Sequence, residues 1–164
     1  MKCNLNDNWR KMIPWIAVIL WMALIFILSS QPAVNSGKLS IGITNNGIKV
    51  IEQVKPDAKL DFRKVEHIIR KNAHFFIYLV LSILIMNALR KSGVRAYRSV
   101  MVTLLICIIY AASDELHQAF VPGRGAHVSD VIIDSAGATL GILLYLIRER
   151  FSCEKTSVNE VKGV

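Results

Sequence analysis

Apolar and polar positions follow one another along the chain in long blocks, and four of the apolar blocks are long enough to cross a bilayer. They cover about residues 12–29, 73–89, 97–113 and 131–147. A transmembrane helix needs about 20 predominantly apolar residues, with a usual range of about 17 to 25. In lipid the backbone of each segment must satisfy its own hydrogen bonds, so each block is predicted to be an α-helix. The pattern therefore predicts an all-α, polytopic membrane protein, a four-helix transmembrane bundle.

The first block resembles a signal peptide in one respect, because it follows a short basic segment, residues 1–11. A signal peptide has an apolar region of about 7 to 15 residues that ends at a small-residue cleavage site. The block here is longer and leads into Ser29-Ser30-Gln31-Pro32. We therefore interpret it as a retained first membrane span.

The polar segments divide the chain into one membrane domain, residues 12–150, and two short ends. Residues 1–11 form an N-terminal segment, and residues 151–164 form a polar tail that we expect to be disordered. The connection over residues 31–73 is long, and its scattered apolar side chains permit a short interfacial helix without requiring one. The other connections are short, which makes neighbouring helices antiparallel.

Composition supports a membrane protein and argues against a nucleic-acid-binding one. Of the 164 residues, 53% are hydrophobic and 20% are charged, and the mean hydropathy is +0.42. These values are too apolar for an ordinary soluble domain of this size. The formal net charge is +8, but Lys and Arg flank the apolar blocks instead of clustering on one polar face. That placement is typical of membrane topology and of contact with anionic lipid.

Residues 113–130, between the third and fourth spans, hold more ionisable groups than a plain loop needs. The chemically distinctive members are Asp114, Glu115, His117, Gln118, Arg124, His127 and Asp130. Ionisable groups at the end of a membrane bundle must be paired or hydrated, and they indicate a functional site. Asp114, His117 and Gln118 have i, i+3 and i+4 spacing, so on a helix they share one face.

The count of four spans brings together polar residues that are distant in the sequence. The end of the first span, the start of the second, the end of the third and the start of the fourth must lie on the same side of the membrane. This side receives Ser29, Ser30, Gln31, Lys71, residues 114–124, Asp130, Asp134 and all four histidines, His67, His74, His117 and His127. The opposite side has only basic flanks. The sequence therefore predicts a polar site at one membrane face.

A polar stripe leads into the second span. Its members recur every three or four residues and are Arg63, His67, Arg70, His74 and Tyr78, with Lys71 at the edge. One interpretation is a basic approach whose side chains reach lipid phosphates. The other is a polar face turned into the bundle.

The fourth span begins with two carboxylates one turn apart, Asp130 and Asp134, followed on the same face by Gly137 and Gly141. Two small residues four apart let a neighbouring helix approach closely, so this face is predicted to point into the bundle. A buried carboxylate there needs a cation, and the candidate partners are Lys71, Arg70 and Arg124. Alternatively, such pairs only hold the helices together.

Basic residues set the expected orientation. The turn between the second and third spans carries Arg90, Lys91, Arg95 and Arg98, and both termini are basic, whereas the loop after the third span has Arg124 alone. By the positive-inside rule we expect both termini in the cytoplasm and the polar site at the outer face of the cell membrane.

Several of these motifs, in this order, resemble the VanZ-like family. They are Lys71-Asn72-Ala73-His74-Phe75-Phe76-Ile77-Tyr78, Asp114-Glu115-Leu116-His117-Gln118-Ala119-Phe120-Val121-Pro122-Gly123-Arg124, Asp130-Val131 and Gly137-Ala138-Thr139-Leu140-Gly141, with Ser29-Ser30-Gln31-Pro32 after the first span. The resemblance runs from Trp15 to Ile147; position 134 often carries Asn in that family and is Asp here. It implies a polytopic bacterial membrane protein of the cell envelope. The family's named member is associated with lowered susceptibility to teicoplanin, a lipoglycopeptide.

One function that fits such a site is an enzyme acting on an anionic lipid-linked or envelope substrate. Arg and Lys side chains would hold its phosphate or carboxylate. Glu115 or Asp114, with His117 and His74, would serve as acid and base. The predicted binding residues are Lys71, Arg70, Tyr78, Gln118, Arg124, Asp130 and Asp134.

Two other functions use the same residues. In one, the site binds a membrane lipid, a lipid-linked cell-wall precursor, a lipoglycopeptide or a partner membrane protein without turnover. In the other, a metal-dependent membrane hydrolase holds its ion with a subset of His74, Asp114, Glu115, His117 and Asp130. The acid–base enzyme and the binding protein need no cofactor and no metal. None of the three functions involves a nucleic-acid partner.

Overall fold

The computed structural model describes residues 5–30, 62–121 and 127–162, and four α-helices lie in these ranges. α1 is Leu5–Ser29, α2 is Phe62–Lys91, α3 is Ala96–Gln118 and α4 is Val128–Lys162. Each contains a stretch long and apolar enough to cross a membrane, namely Lys11–Ser29, Arg70–Lys91, Ala96–Gln118 and Val128–Phe151. No strand occurs in the described ranges. The predicted all-α, four-span membrane bundle is confirmed.

α2 is the central helix of the bundle. It packs against α1, α3 and α4, and most extensively against α4. Its side chains Tyr78, Leu81 and Ile85 are fully buried and form the middle of the core. The outward faces of the bundle expose large apolar side chains, among them Ile19, Leu20, Met101, Ile109 and Ile132. An apolar surface of this extent is matched by lipid, whereas in water it would drive association.

Two glycines set a close approach between α2 and α4. A Cβ atom on Gly137 would collide with the backbone carbonyl of Phe75. One on Gly141 would collide with the backbone carbonyl of Leu79 and the hydroxyl of Ser82. This confirms the prediction that the glycine face of the fourth span points into the bundle.

The end of α2 away from the polar residues is fixed by a Schellman motif that needs glycine. The amide of Gly93 donates to the carbonyl of Arg90 at 3.0 Å, and that of Val94 donates to the carbonyl of Leu89 at 3.1 Å. The φ of Gly93 is 84°, a conformation that strains residues with a Cβ. The Arg90 guanidinium also donates to the Glu149 carboxylate at 2.5 and 2.9 Å, which joins this end of α2 to α4.

Two helices extend beyond the predicted spans. α2 begins at Phe62, ahead of the span predicted from residue 73, and α4 continues to Lys162. The expected disorder of residues 151–164 is therefore wrong as far as Lys162, because residues 151–162 contain no Gly or Pro and several good helix formers. At about 1.5 Å per residue, the 35 residues of α4 exceed the ~30 Å hydrocarbon core, so the helix extends beyond it.

Candidate ligand cleft

Polar side chains from all four helices meet at one end of the bundle. The end of α1, the membrane entry of α2, the end of α3 and the start of α4 lie together there. Side-chain contacts join α1 to α3, α2 to α3 and α2 to α4. Of the polar residues predicted to share one membrane face, the structure brings together Ser29, Lys71, His74, Asp114 and Asp134.

Two contacts between ionisable groups link α2 and α4 at successive turns. Nζ of Lys71 lies 2.9 Å from Oδ1 of Asp130 and 3.5 Å from Oγ of Ser129. One turn further into the bundle, Nδ1 of His74 lies 3.7 Å from Oδ2 of Asp134. The sequence predicted a Lys or Arg partner for both carboxylates. Asp130 has such a partner in Lys71, whereas Asp134 faces an imidazole.

His74 lies between two buried carboxylates. Its Nδ1 is also 4.0 Å from Oδ2 of Asp114 on α3. Asp114 and Asp134 are only 4% and 2% exposed. An imidazole in this position can compensate carboxylate charge when it is protonated, and it can pass that proton to a bound molecule.

Three buried polar atoms near His74 have no hydrogen-bond partner among the described residues. They are Oδ1 of Asp114, Oδ1 of Asp134 and the hydroxyl of Tyr78. Tyr78 lies one turn deeper than His74 on α2, and its hydroxyl is within electrostatic range of both carboxylates. Buried polar groups normally have partners, and these oxygens can accept hydrogen bonds from ordered water.

A hydrogen-bonded chain connects this cluster to α1. The side-chain amide of Gln118 donates to Oδ2 of Asp114 at 3.0 Å and to Oγ of Ser29 at 2.7 Å. Beside it, Nε2 of His117 lies 3.1 Å from Oγ of Ser30, and the His117 ring packs on Phe26 with centroids 4.6 Å apart. Through Gln118 and His74 the polar network reaches all four helices.

A small cleft opens beside these groups, and its enclosed volume of about 10 Å³ is close to that needed for one water molecule. Its lining consists of Arg70, Lys71, His74, Glu115, Gln118, Asp130, Ile133 and Asp134. Arg70 and Lys71 stand one turn nearer the bundle end than His74. On the inner side, the close contact of Gly137 with the Phe75 backbone brings α2 and α4 together.

Seven of the predicted site residues line the cleft, and Ile133 is the one lining residue that the sequence did not single out. Asp114 lies behind His74, and Tyr78 lies beneath it in the core. Arg124 lies outside the described residues, so its role stays a prediction.

The predicted acid and base Glu115 and His117 are directed to different neighbours. Glu115 accepts the backbone amide of His127, the residue that precedes α4, at 2.5 Å. His117 is turned toward Ser30, the residue that follows α1. The two side chains diverge because residues i and i+2 on a helix do not face each other. The imidazole that the structure places among carboxylates is that of His74.

The hydrogen-bonding serines of the site were not predicted as site residues. Ser29 and Ser30 contact Gln118 and His117, and Ser129 contacts Lys71. The sequence indicated these serines only through their positions at span ends, since the first span ends on the same side as the third. Which serine contacts which residue depends on helix rotation, and the sequence does not specify it.

Within the described ranges, no group of three or more His, Cys, Asp or Glu side chains has the arrangement of a metal site. The structure therefore adds no geometry to the interpretation as a metal-dependent hydrolase.

The fold and the cleft together define a multi-pass membrane protein with an ionisable site at one end of its helix bundle. The VanZ/LLP1 family model matches residues 14–149, which include most of the four-span region. The chain belongs to this family, as its motifs predicted. No curated protein and no solved structure shows significant similarity to it.

Proposed function

We propose that this VanZ-like protein acts at the cell envelope, where its cleft binds the phosphate-bearing head group of a membrane lipid or a lipid-linked cell-wall precursor. The observation that carries the proposal is the position of Arg70 and Lys71 side by side in the lining of a small open cleft at the bundle end. Guanidinium and ammonium groups bind phosphate well, and the end of a bundle lies near lipid head groups. Through this binding the protein lowers susceptibility to lipoglycopeptides such as teicoplanin.

The size of the cleft excludes the antibiotic itself. Its enclosed volume of about 10 Å³ is far below the ~300 to 1,000 Å³ typical of sites for drug-sized molecules. A lipoglycopeptide combines a peptide, sugars and an acyl chain, so only a small part of it could enter. We therefore assign the effect on susceptibility to the envelope ligand and not to capture of the antibiotic in the cleft.

The charge at the other end of the bundle supports an outward-facing cleft. The basic residues at or near the span ends there are Arg10, Lys11, Arg90, Lys91, Arg95, Arg98, Arg148 and Arg150. Positive residues that flank membrane spans favour the cytoplasmic side. With that end in the cytoplasm, both termini are cytoplasmic, and the cleft opens at the outer face of the cell membrane.

The test compares two arginines. Arg70 lines the cleft, whereas Arg150 is exposed near the far end of α4. In a teicoplanin-sensitive bacterium that lacks the protein, the wild type and Arg150→Gln should raise the inhibitory concentration of teicoplanin. Arg70→Gln should not, at equal membrane levels, because the phosphate loses its bidentate donor. Full protection by Arg70→Gln would contradict the proposal.

A second function, acid–base catalysis on the bound head group, is favoured by one specific observation. His74 lies 3.7 Å from Asp134 and 4.0 Å from Asp114. A neighbouring carboxylate orients an imidazole and stabilises its protonated form. Mass spectrometry of lipids from cells with the wild type or His74→Gln separates the two functions. A modified lipid that is lost in His74→Gln supports catalysis, and unchanged lipid in both supports binding alone.

A further inference from the structure

A groove between α2 and α4 lies at the basic end of the bundle, away from the cleft. Its lining consists of Asn87 on α2 and Tyr145, Arg148 and Glu149 on α4. Asn87 is about 20 Å from His74 along α2, at about 1.5 Å per residue. The groove has a volume of about 190 Å³, against about 10 Å³ for the cleft. We infer that this groove is a second site, which binds the phosphodiester of an anionic phospholipid and does not depend on the function proposed for the cleft.

The first argument is a set of hydrogen-bond donors that converge on the groove. The Asn87 amide, the Tyr145 hydroxyl and the Arg148 guanidinium donate to no residue within the described ranges. Tyr145 and Arg148 have i and i+3 spacing, so both lie on the side of α4 that faces the groove. Arg, Asn and Tyr side chains are common donors to phosphate oxygens, and a guanidinium can donate two hydrogen bonds at once.

The second argument is the balance of charge. Glu149 also lines the groove, but Arg90 compensates its carboxylate, since Nε and Nη2 donate to Oε1 at 2.9 and 2.5 Å. Arg148 forms no ion pair with a residue that the structure describes. Two guanidinium groups therefore stand against one carboxylate. The single positive charge in excess matches the single negative charge of a phosphodiester.

The third argument is the position of the groove along α4. Arg148 directly follows the apolar part of the helix. Leu144 lies one turn before Arg148 on the same side, and both Leu144 and Ile147 are about half exposed. Tyrosine is typical of the level of lipid head groups, and anionic lipids are attracted to basic span ends. A phosphate at Arg148 therefore leaves the acyl chains beside Leu144 and Ile147, where lipid already covers the helix.

The experiment measures ligand binding to the purified full-length protein in a neutral detergent by native mass spectrometry. Phosphatidylglycerol carries an anionic phosphodiester, and phosphatidylcholine carries the same diester with a compensating trimethylammonium group. Glycerophosphoglycerol is the anionic head group without acyl chains. Phosphatidylglycerol should bind about 10-fold more tightly than the other two, because it alone combines a net negative charge with acyl chains.

Variants locate the binding. Arg148→Gln should weaken binding of phosphatidylglycerol about 10-fold, because the phosphate loses a charged donor. Arg150→Gln is the matched control and should have little effect, since this exposed arginine makes the same charge change two residues further on and is not in the lining. Tyr145→Phe keeps the ring and removes one neutral donor, so a smaller loss of about 2- to 5-fold is expected. Arg70→Gln, which alters the cleft, should retain the lipid in the groove.

Four outcomes would overturn the inference. Equal affinity for phosphatidylglycerol and phosphatidylcholine would contradict the charge argument. Equal losses in Arg148→Gln and Arg150→Gln would show diffuse attraction to the basic end without a site. Binding of glycerophosphoglycerol as tight as that of the lipid would assign the groove to a soluble phosphodiester. Loss of all binding in Arg70→Gln would place the lipid in the cleft, which would support the proposed function and remove the second site.

Discussion

His74 and Asp134 face each other across the contact of α2 with α4, with Nδ1 of the imidazole 3.7 Å from Oδ2 of the carboxylate. The contact lies between two others of different kinds. Lys71 pairs with Asp130 one turn nearer the bundle end, and Gly137 packs on the Phe75 backbone one turn deeper.

This arrangement bears on the alternative that the charged pairs only hold the helices together. Helices in lipid associate through close packing of small residues and through polar contacts. Here Gly137 and Gly141 supply the close packing to α2, and the polar groups are placed beyond it, beside an open cleft. The glycines can therefore hold α2 and α4 together while the polar groups contact a ligand.

The first prediction concerns the coupling of His74 with Asp134. His74→Gln leaves two buried carboxylates without their imidazole, and Asp134→Asn removes one of those carboxylates. If the contact is direct, the double variant should be less destabilised than the sum of the single variants, by about 0.5 to 3 kcal/mol. Unfolding of the purified protein in mixed detergent measures the three free energies. Additive effects would show that the two side chains do not interact.

A second prediction follows from the glycine contact. In Gly137→Ala the new methyl group meets a backbone carbonyl, which cannot rotate away as a side chain can. Helices α2 and α4 must separate, and overpacking of this kind costs about 1 to 3 kcal/mol. The thermal unfolding temperature should fall accordingly. Ala136→Leu, on the exposed neighbouring position, is the control and should leave it nearly unchanged. Equal stability of Gly137→Ala would mean that the helices are not in contact there.

The sequence predicted the fold and the shared membrane face because both depend on coarse properties. Four apolar blocks set the number of helices, and their antiparallel order then brings Asp114 and Asp134 to the same end. The Gly137 and Gly141 spacing also predicted which face of α4 points inward. Predictions of these features stay correct when a predicted helix boundary is wrong by a few residues.

The particular contacts were less predictable, because they depend on how each helix is rotated about its axis. A rotation of one residue is about 100°, so Glu115 and His117 diverge although they lie close in the sequence. Asp134 faces His74 and not a Lys or Arg for the same reason. Tyr78 followed the polar stripe in the sequence, yet it is fully buried in the core, because the stripe continues into the bundle beyond the cleft.

A third prediction concerns the attachment of α1. The Tyr110 hydroxyl donates to the backbone carbonyl of Met22 at 2.6 Å, in the middle of the bundle. Tyr110→Phe should therefore lower stability by about 0.6 kcal/mol, the average for hydrogen bonds between membrane helices. Tyr97→Phe is the matched control, since Tyr97 is exposed and its hydroxyl accepts a hydrogen bond from the adjacent Arg98. Unfolding in mixed detergent compares the two variants; an equal effect would remove the assigned role of the Met22 contact.

The last prediction tests the orientation on which the envelope function depends. Asn72 is exposed beside the cleft, and Arg98 is exposed at the start of α3, at the opposite end of the bundle. In a background with the native cysteines replaced by Ala, Asn72→Cys should react with a membrane-impermeant thiol reagent in intact cells. Arg98→Cys should react only after permeabilisation, because positive residues beside a span favour the cytoplasm. The reverse pattern would place the cleft in the cytoplasm and exclude contact with precursors displayed outside. Labelling of both positions from the same side would contradict the antiparallel order of α2 and α3, and with it the gathering of polar residues at one end.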